Sequence, residues 1–233
     1  MSSESLRPVS ITRSSAVDQL VTALRERILC GELAPGTRLR EAAVSDASGV
    51  SRNTVREALL VLTGEGLVRH ESHRGATVTA LTADDVCDLY EVRRVLETAA
   101  IDFAASHAPV DLTLVDAAFD RLAAAAVGEW LGLVDADLLF HARLVDLHRS
   151  SRLSRSFRAI EGELRLGFAI VAYVDQEFVR PQVIVDEHRA LLELVRANDA
   201  AAAKALLTDQ LVHYRDRLID VVAARESTEL AAR

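Results

Sequence analysis

From Thr82 to about residue 224, apolar side chains recur every three or four residues, and no long stretch alternates apolar with polar. A chain of this kind can bury its stripes only by packing helix against helix. The expected helices are Thr82 to about His107, one opening at Pro109 or Asp111, about Glu129–His148, Leu153–Val174, Pro181–Arg196, and Asp199 to about Ala224. Six helices over roughly 140 residues predict an antiparallel bundle. A polar tail is expected over 225–233.

The first 80 residues read differently. After a polar tail at 1–13, Val17, Leu20, Val21, Leu24 and Ile28 fall at helical spacing, with Ser14 or Ser15 as N-cap and Gly31 as the stop. Pro35-Gly36 marks a turn. A short helix over about Arg40–Ser48 ends at Gly49, and a second follows over Arg52–Glu65. Ser51 caps the second helix, Val55, Leu59 and Leu62 form its inner face, and Gly66 ends it. Segments 67–71 and 76–79 can pair as strands around the basic turn Ser72-His73-Arg74-Gly75. Two short helices and a hairpin make a winged helix-turn-helix over 14–80. The fold expected is therefore mostly α, with that head on a helical body at 81–224.

Charge follows the same division. The whole chain is −8, but residues 1–80 hold ten Arg against nine acids, and the body carries the excess acid. An acidic total excludes a basic nucleic-acid coat, and 50% hydrophobic residues exclude disorder. A head near neutrality, with arginines at a few points, suits a module that docks on nucleic acid through placed contacts. The N-terminal end of the second helix would enter a major groove. Arg52 and Arg56 lie one turn apart there, beside Ser51, Asn53 and Thr54. Arginine reads guanine edges, and hydroxyls and helix N-termini hold phosphates. Arg74 and Gly75, at the wing tip, can approach the backbone or minor groove.

Other readings concern placement in the cell. Cys30 and Cys87 sit inside helical patterns and are expected as small buried hydrophobes. No run of about 18 apolar residues and no apolar leader core are present, so a soluble cytoplasmic protein with no membrane partner is expected.

Residues 33–79 resemble the winged-helix domain of GntR-family bacterial transcription regulators, most closely over GVSRNTVREAL at Gly49–Leu59. The resemblance implies a homodimer on a short palindromic DNA operator, with Arg52 and Arg56 contacting DNA. Some members carry an Arg in the first short helix where Ala42 stands here, and Arg40 lies two residues earlier.

In the body, Asp137 and His141 are i and i+4 on one helix face, and His188 lies on a later helix. An Asp with imidazoles from facing helices can hold a divalent transition metal. Arg93 falls on an otherwise apolar stripe and needs a partner. The runs YEVRRVLETAA (Tyr90–Ala100), ADLLFHARLV (Ala136–Val145) and DEHRALLELVRANDAAAAKALLTDQL (186–211) resemble the effector-binding FCD domain of the FadR-type subfamily. That resemblance implies a pocket metal on one Asp and three His, which gives Asp137, His141 and His188. The fourth position is Gln210, a weaker neutral ligand, with His213 three residues further along the helix. Zn²⁺ is the first choice of ion, with Ni²⁺ or Mn²⁺ as alternatives, and the Gln leaves open a weak site or none.

The resemblance also gives Arg93 a small carboxylate effector as partner, beside Asp137, His141, His188 and Gln210. The alternative for Arg93 is a structural ion pair with an acid such as Asp137. His148, one heptad after His141, either lines the pocket or packs elsewhere. The function expected is a DNA-binding regulator, in the repressor mode, modulated by a small organic acid. Its motion would pass through the connection at 80–83. The alternatives are a constitutive DNA binder with a dead pocket and a helical metalloenzyme.

Overall fold

The computed structural model describes residues 15–71, 75–128, 130–174 and 180–231. The head begins with α1 (Ala16–Leu29). Ser15 and Asp18 cap it reciprocally: Asp18 N–H donates to Ser15 Oγ (3.1 Å) and Ser15 N–H to Asp18 Oδ2 (2.9 Å). Such a cap contributes on the order of 1 kcal/mol. The helix gives way to Gly31 at φ 81°.

The turn at Pro35-Gly36 then runs beside the wing. Leu39 N–H donates to Ala76 O (2.8 Å) and Val78 N–H to Thr37 O (2.9 Å). Helices α2 (Glu41–Ser48) and α3 (Arg52–Gly64) are joined through Gly49, whose φ of 72° makes the tight turn. Val55, Ala58, Leu59 and Leu62 of α3 are fully buried against α1 and α2. Each buried Leu stabilises by roughly 1.5–3 kcal/mol, enough to fix a short helix that would not persist alone. Strands β1 (Val68–Glu71) and β2 (Gly75–Val78) pair antiparallel from Val68↔Val78 to Glu71↔Gly75. This is a winged helix-turn-helix, as expected.

The body consists of α4 (Ala83–Ser106), α5 (Thr113–Ala125), α6 (Trp130–Asp146), α7 (Ser151–Val174), α8 (Pro181–Arg196) and α9 (Ala200–Ala231). Thr82 and Asp85 cap α4 as Ser15 and Asp18 cap α1. Helix α4 packs against α6, α7, α8 and α9, so its buried face is the centre of the bundle. No helix among the described residues is long and apolar enough to cross a membrane.

Some details depart from expectation. Helix α5 opens at Thr113 after Leu112, and Asp111 Oδ1 accepts the Thr113 N–H (2.9 Å). Helix α9 continues to Ala231, so the polar tail expected from 225 is helical for most of its length. Cys30 and Cys87 are both exposed free thiols rather than buried. Cys30 lies beyond the end of α1, where it caps the helix, and Cys87 follows the buried Val86 onto the outer face of α4. The expected tail at 1–13 and the wing-tip residue Arg74 lie outside the described residues.

Candidate nucleic-acid interface and buried polar site

The exposed end of α3 carries Ser51, Arg52, Asn53 and Arg56, with Thr54 half-buried. Ser51 Oγ accepts the Thr54 N–H (3.1 Å) and pairs with Thr54 Oγ1 (2.9 Å), so both hydroxyls are engaged in the cap. Asn53 Nδ2 donates to Glu57 Oε1 (2.8 Å). Arg56 forms a two-pronged bond with Glu41 of α2, Nε to Oε1 at 3.0 Å and NH2 to Oε2 at 2.6 Å. That fork holds the Glu41 carboxyl below its ordinary range and raises the Arg56 guanidinium. Glu41 thus fixes the orientation of Arg56, a contact that its position at the start of α2 did not reveal. Arg40 precedes α2 as an exposed residue whose side chain makes no capping bond. Gly75, at φ 77°, opens β2 on the exposed wing.

The second site is in the bundle. Arg93, Glu97, Asp137, His141 and His188 are all buried, at 0–5% exposure, and are the buried ionisable side chains of the described body other than Tyr90. Helix α4 supplies Arg93 and Glu97 one turn apart, α6 supplies Asp137 and His141 likewise, and α8 supplies His188. Arg93 Nε donates to Glu97 Oε1 (2.7 Å), and the guanidinium lies 5.9 Å from the Tyr90 ring centre. The second Glu97 oxygen lies 2.6 Å from His141 Nδ1. Arg93's structural partner is therefore Glu97, not Asp137. Phe140 stands edge-on to both imidazoles, at 5.5 Å and 4.9 Å between ring centres.

The two imidazoles are set by their outer neighbours. His141 Nδ1 faces the Glu97 carboxylate, and His188 Nδ1 faces Ile184 O at 2.7 Å. Both neighbours are acceptors, so both Nδ1 atoms carry hydrogen, and in the neutral rings both Nε2 atoms present lone pairs. Yet the two Nε2 atoms lie 3.0 Å apart, and His188 Nε2 is 3.0 Å from Asp137 Oδ1. Three acceptors facing one point repel unless a proton or a cation sits among them. Asp137 Oδ2 is buried with no hydrogen-bond partner.

The titration pattern follows this crowding. Burial would raise the Asp137 carboxyl, but the adjoining His188 and His141 rings and Arg93 override it, and it falls below the carboxylate range. Burial lowers His141, helped by the Arg93 charge. For His188, burial acts downward, but Asp137 outweighs it and the ring is raised. Desolvation pushes Tyr90 up to about 12.

Asp137, His141 and His188 offer ligand atoms within 4.8 Å of one another. They share a small cavity with Phe168, Gln210 and Tyr214. Gln210 Nε2 donates to Glu187 O (3.3 Å), and Tyr214 OH donates to Glu187 Oε2 (3.0 Å). The cavity volume is about 10 Å³. The structure does not bring His213 here; it is exposed on the outer face of α9, near Asp209 and Asp216. His148 is also elsewhere, stacked on Phe103 at 4.6 Å between ring centres. Glu97 is the residue of this site that sequence reasoning missed. Its signal was its spacing of four residues from Arg93, on a face that was otherwise apolar.

Known proteins resemble the chain along most of its length. Residues 16–78 match the model for "Bacterial regulatory proteins, gntR family", and residues 88–213 match the FCD domain. An HTH-type transcriptional regulator of Bacillus subtilis, YdhC, is 28% identical over 210 residues, covering 88% of this chain and 91% of its own. The gluconate operon transcriptional repressor of Bacillus licheniformis is 38% identical over 88 residues, 38% of this chain and 36% of its own. The crystal structure of a GntR transcriptional regulator from Rhodococcus sp. RHA1 superposes with a TM-score of 0.70 at 32% identity, covering 89% of this chain and 99% of that one.

Proposed function

The chain belongs to the GntR family of bacterial regulators, DNA-binding transcription factors, with an FCD domain as its body, and on that premise we propose that it is a cytoplasmic homodimeric repressor whose hold on a palindromic operator is set by a divalent metal and a small carboxylate at the buried site. It is a regulator, not an enzyme. Repression has support from the relative named as an operon repressor.

The observation that carries the metal is the inward convergence of His141 Nε2, His188 Nε2 and Asp137 Oδ1 on one point. An ion there would take the place of the proton that otherwise separates these three acceptors, and would give the orphaned Asp137 Oδ2 a partner. The donor set of two imidazoles and a carboxylate suits Zn²⁺, with Ni²⁺ and Mn²⁺ as weaker candidates. Bound there, the ion would supply an open coordination position to a carboxylate. Gln210 lines the same cavity, and its amide oxygen is our candidate for a fourth ligand.

Arg93 supplies the opposite charge for the carboxylate. About 10 Å³ holds an ion or one water but no organic acid. Entry of the acid therefore requires the walls on α7 and α9 to move, and that movement is what links the site to the heads. Arg52, Asn53, Thr54 and Arg56 with Ser51 read the operator, Arg40 lies beside them, and Arg74 and Gly75 extend the contact from the wing.

A thermal-shift screen of small carboxylates, with and without Zn²⁺, tests this reading. At least one acid is expected to raise Tm, and to do so more strongly with metal. The small volume favours a second reading, a constitutive DNA binder with a closed pocket, and that protein would show no shift with any acid or metal.

A further inference from the structure

We infer that Gly162 of α7 is the positioning residue for α3, the recognition helix whose N-terminal end would enter the groove, and that α7 carries changes at the buried site to the DNA-reading head. The inference rests on the regulator reading above and adds where the two parts are joined.

The joint is a contact of backbone on backbone. The carbonyl oxygen of Glu65, the C-cap of α3, occupies the place where a Cβ on Gly162 would stand. Any side chain there forces α3 or α7 to move. From the other side, a Cβ on Gly66, at φ 75°, would lie 2.9 Å from Glu163 Cγ. Polar pairs brace each side of this seat, one within the head and two across to the body. Arg25 clasps Glu65 through Nε (3.0 Å) and NH2 (2.5 Å). Arg69 of β1 reaches Asp85 at the start of α4 (3.5 Å) and Glu163 of α7 (3.4 Å). These pairs are partly exposed and contribute little energy, but they fix orientation.

Further along, α1 meets α7 less tightly. Hollows of about 310 and 350 Å³, each lined by Leu29 and Ala169, lie at that contact. The close fit is therefore at Gly162.

Helix α7 continues from this seat to the buried site. Gly167 and Phe168 lie five and six residues on, roughly 8 Å along the axis. A Cβ on Gly167 would lie 2.7 Å from Leu218 Cδ2 of α9, and Phe168 is a wall of the metal-ligand cavity. One stiff helix thus touches the recognition helix through backbone and the cavity through a ring. A contact between backbones has no flexible side chain to absorb a shift of α7, so the head must follow. In a dimer joined through its bodies, the pose of each head on its body sets the spacing between the two recognition helices.

The test uses full-length protein and duplexes selected by the parent from a random-sequence pool, re-made with altered spacing between half-sites and as single half-sites. Gly162→Ala is expected to bind a single half-site as the parent does. It should lose about tenfold on the selected duplex and prefer a different spacing. Glu163→Ala, which adds no bulk, should broaden the spacing preference and leave single half-site binding unchanged, and it carries the test if Gly162→Ala does not fold. Parental spacing profiles in both variants, or in Glu163→Ala alone where Gly162→Ala does not fold, would overturn the inference. A parent that selects no duplex would instead defeat the regulator reading.

Discussion

At the scale of single residues, the buried site depends on which atom of each ring is already committed. Glu97 and Ile184 O hold the Nδ1 atoms, and Nε2 is left for the proposed ion. Glu97→Gln keeps an acceptor for His141 but removes its charge, so Zn²⁺ affinity should fall about 10–100-fold in competition with a chromophoric chelator. Gln210→His replaces an amide by an imidazole at the cavity wall and should strengthen Zn²⁺ binding in the same assay; an unchanged or weaker affinity would remove position 210 from the ligand set. Asp137 and His141 could be paired from the sequence because Asp-x-x-x-His places both on one helix face, and His188 joined them as a ligand through the family resemblance. Glu97 could not, because nothing local shows that its two oxygens serve different helices. His213 looked equivalent to Gln210 by sequence distance, yet three residues along α9 turn it out to the solvent.

Elements were legible where burial and caps coincide. Ser15, one of two residues expected as the cap of α1, and Ser51 cap their helices, and Thr82, expected to begin α4, proves to be its cap, because a side-chain oxygen there satisfies a free N–H. The end of α9 was not legible. Beyond residue 224 the polar sequence has no apolar stripe, and helix propensity continues the helix where pattern gives no signal. The two thiols were misread for a related reason, since helical periodicity says which face a residue is on only while the helix lasts and the face is covered. Both Cys30 and Cys87 should react with a maleimide in the native protein; a single equivalent of label would show that one is shielded. On α3, the fork from Glu41 holds Arg56 away from other partners. Glu41→Ala should alter which bases are preferred near Arg56, read by binding to a panel of single-base operator variants.

For the whole molecule, the acidic total conceals a division of labour between a nearly neutral head and an acidic body. Specific binding should weaken with salt in proportion to the few phosphates neutralised, and Arg52→Ala should reduce affinity for the selected duplex at fixed salt. Metal binding should depend on pH in one direction. Asp137 raises His188, so the metal-free ring holds a proton more readily than a free imidazole does, and an ion must displace that proton to bind. The Tm gain from Zn²⁺ should therefore be larger at about pH 8 than at about pH 6, on either side of the ordinary His value. Equal gains would mean that His188 is not a ligand. All these effects converge on whether the buried site governs DNA binding. The most direct measurement is the affinity of the parent and of His188→Ala for the selected duplex, by fluorescence anisotropy, with Zn²⁺ and the carboxylates that raise Tm. A shift of about tenfold or more is expected in the parent, corresponding to roughly 1.4 kcal/mol of coupling, and none in His188→Ala, which still binds DNA. A shift that persists in the variant, or a parent that responds to no acid, would contradict it.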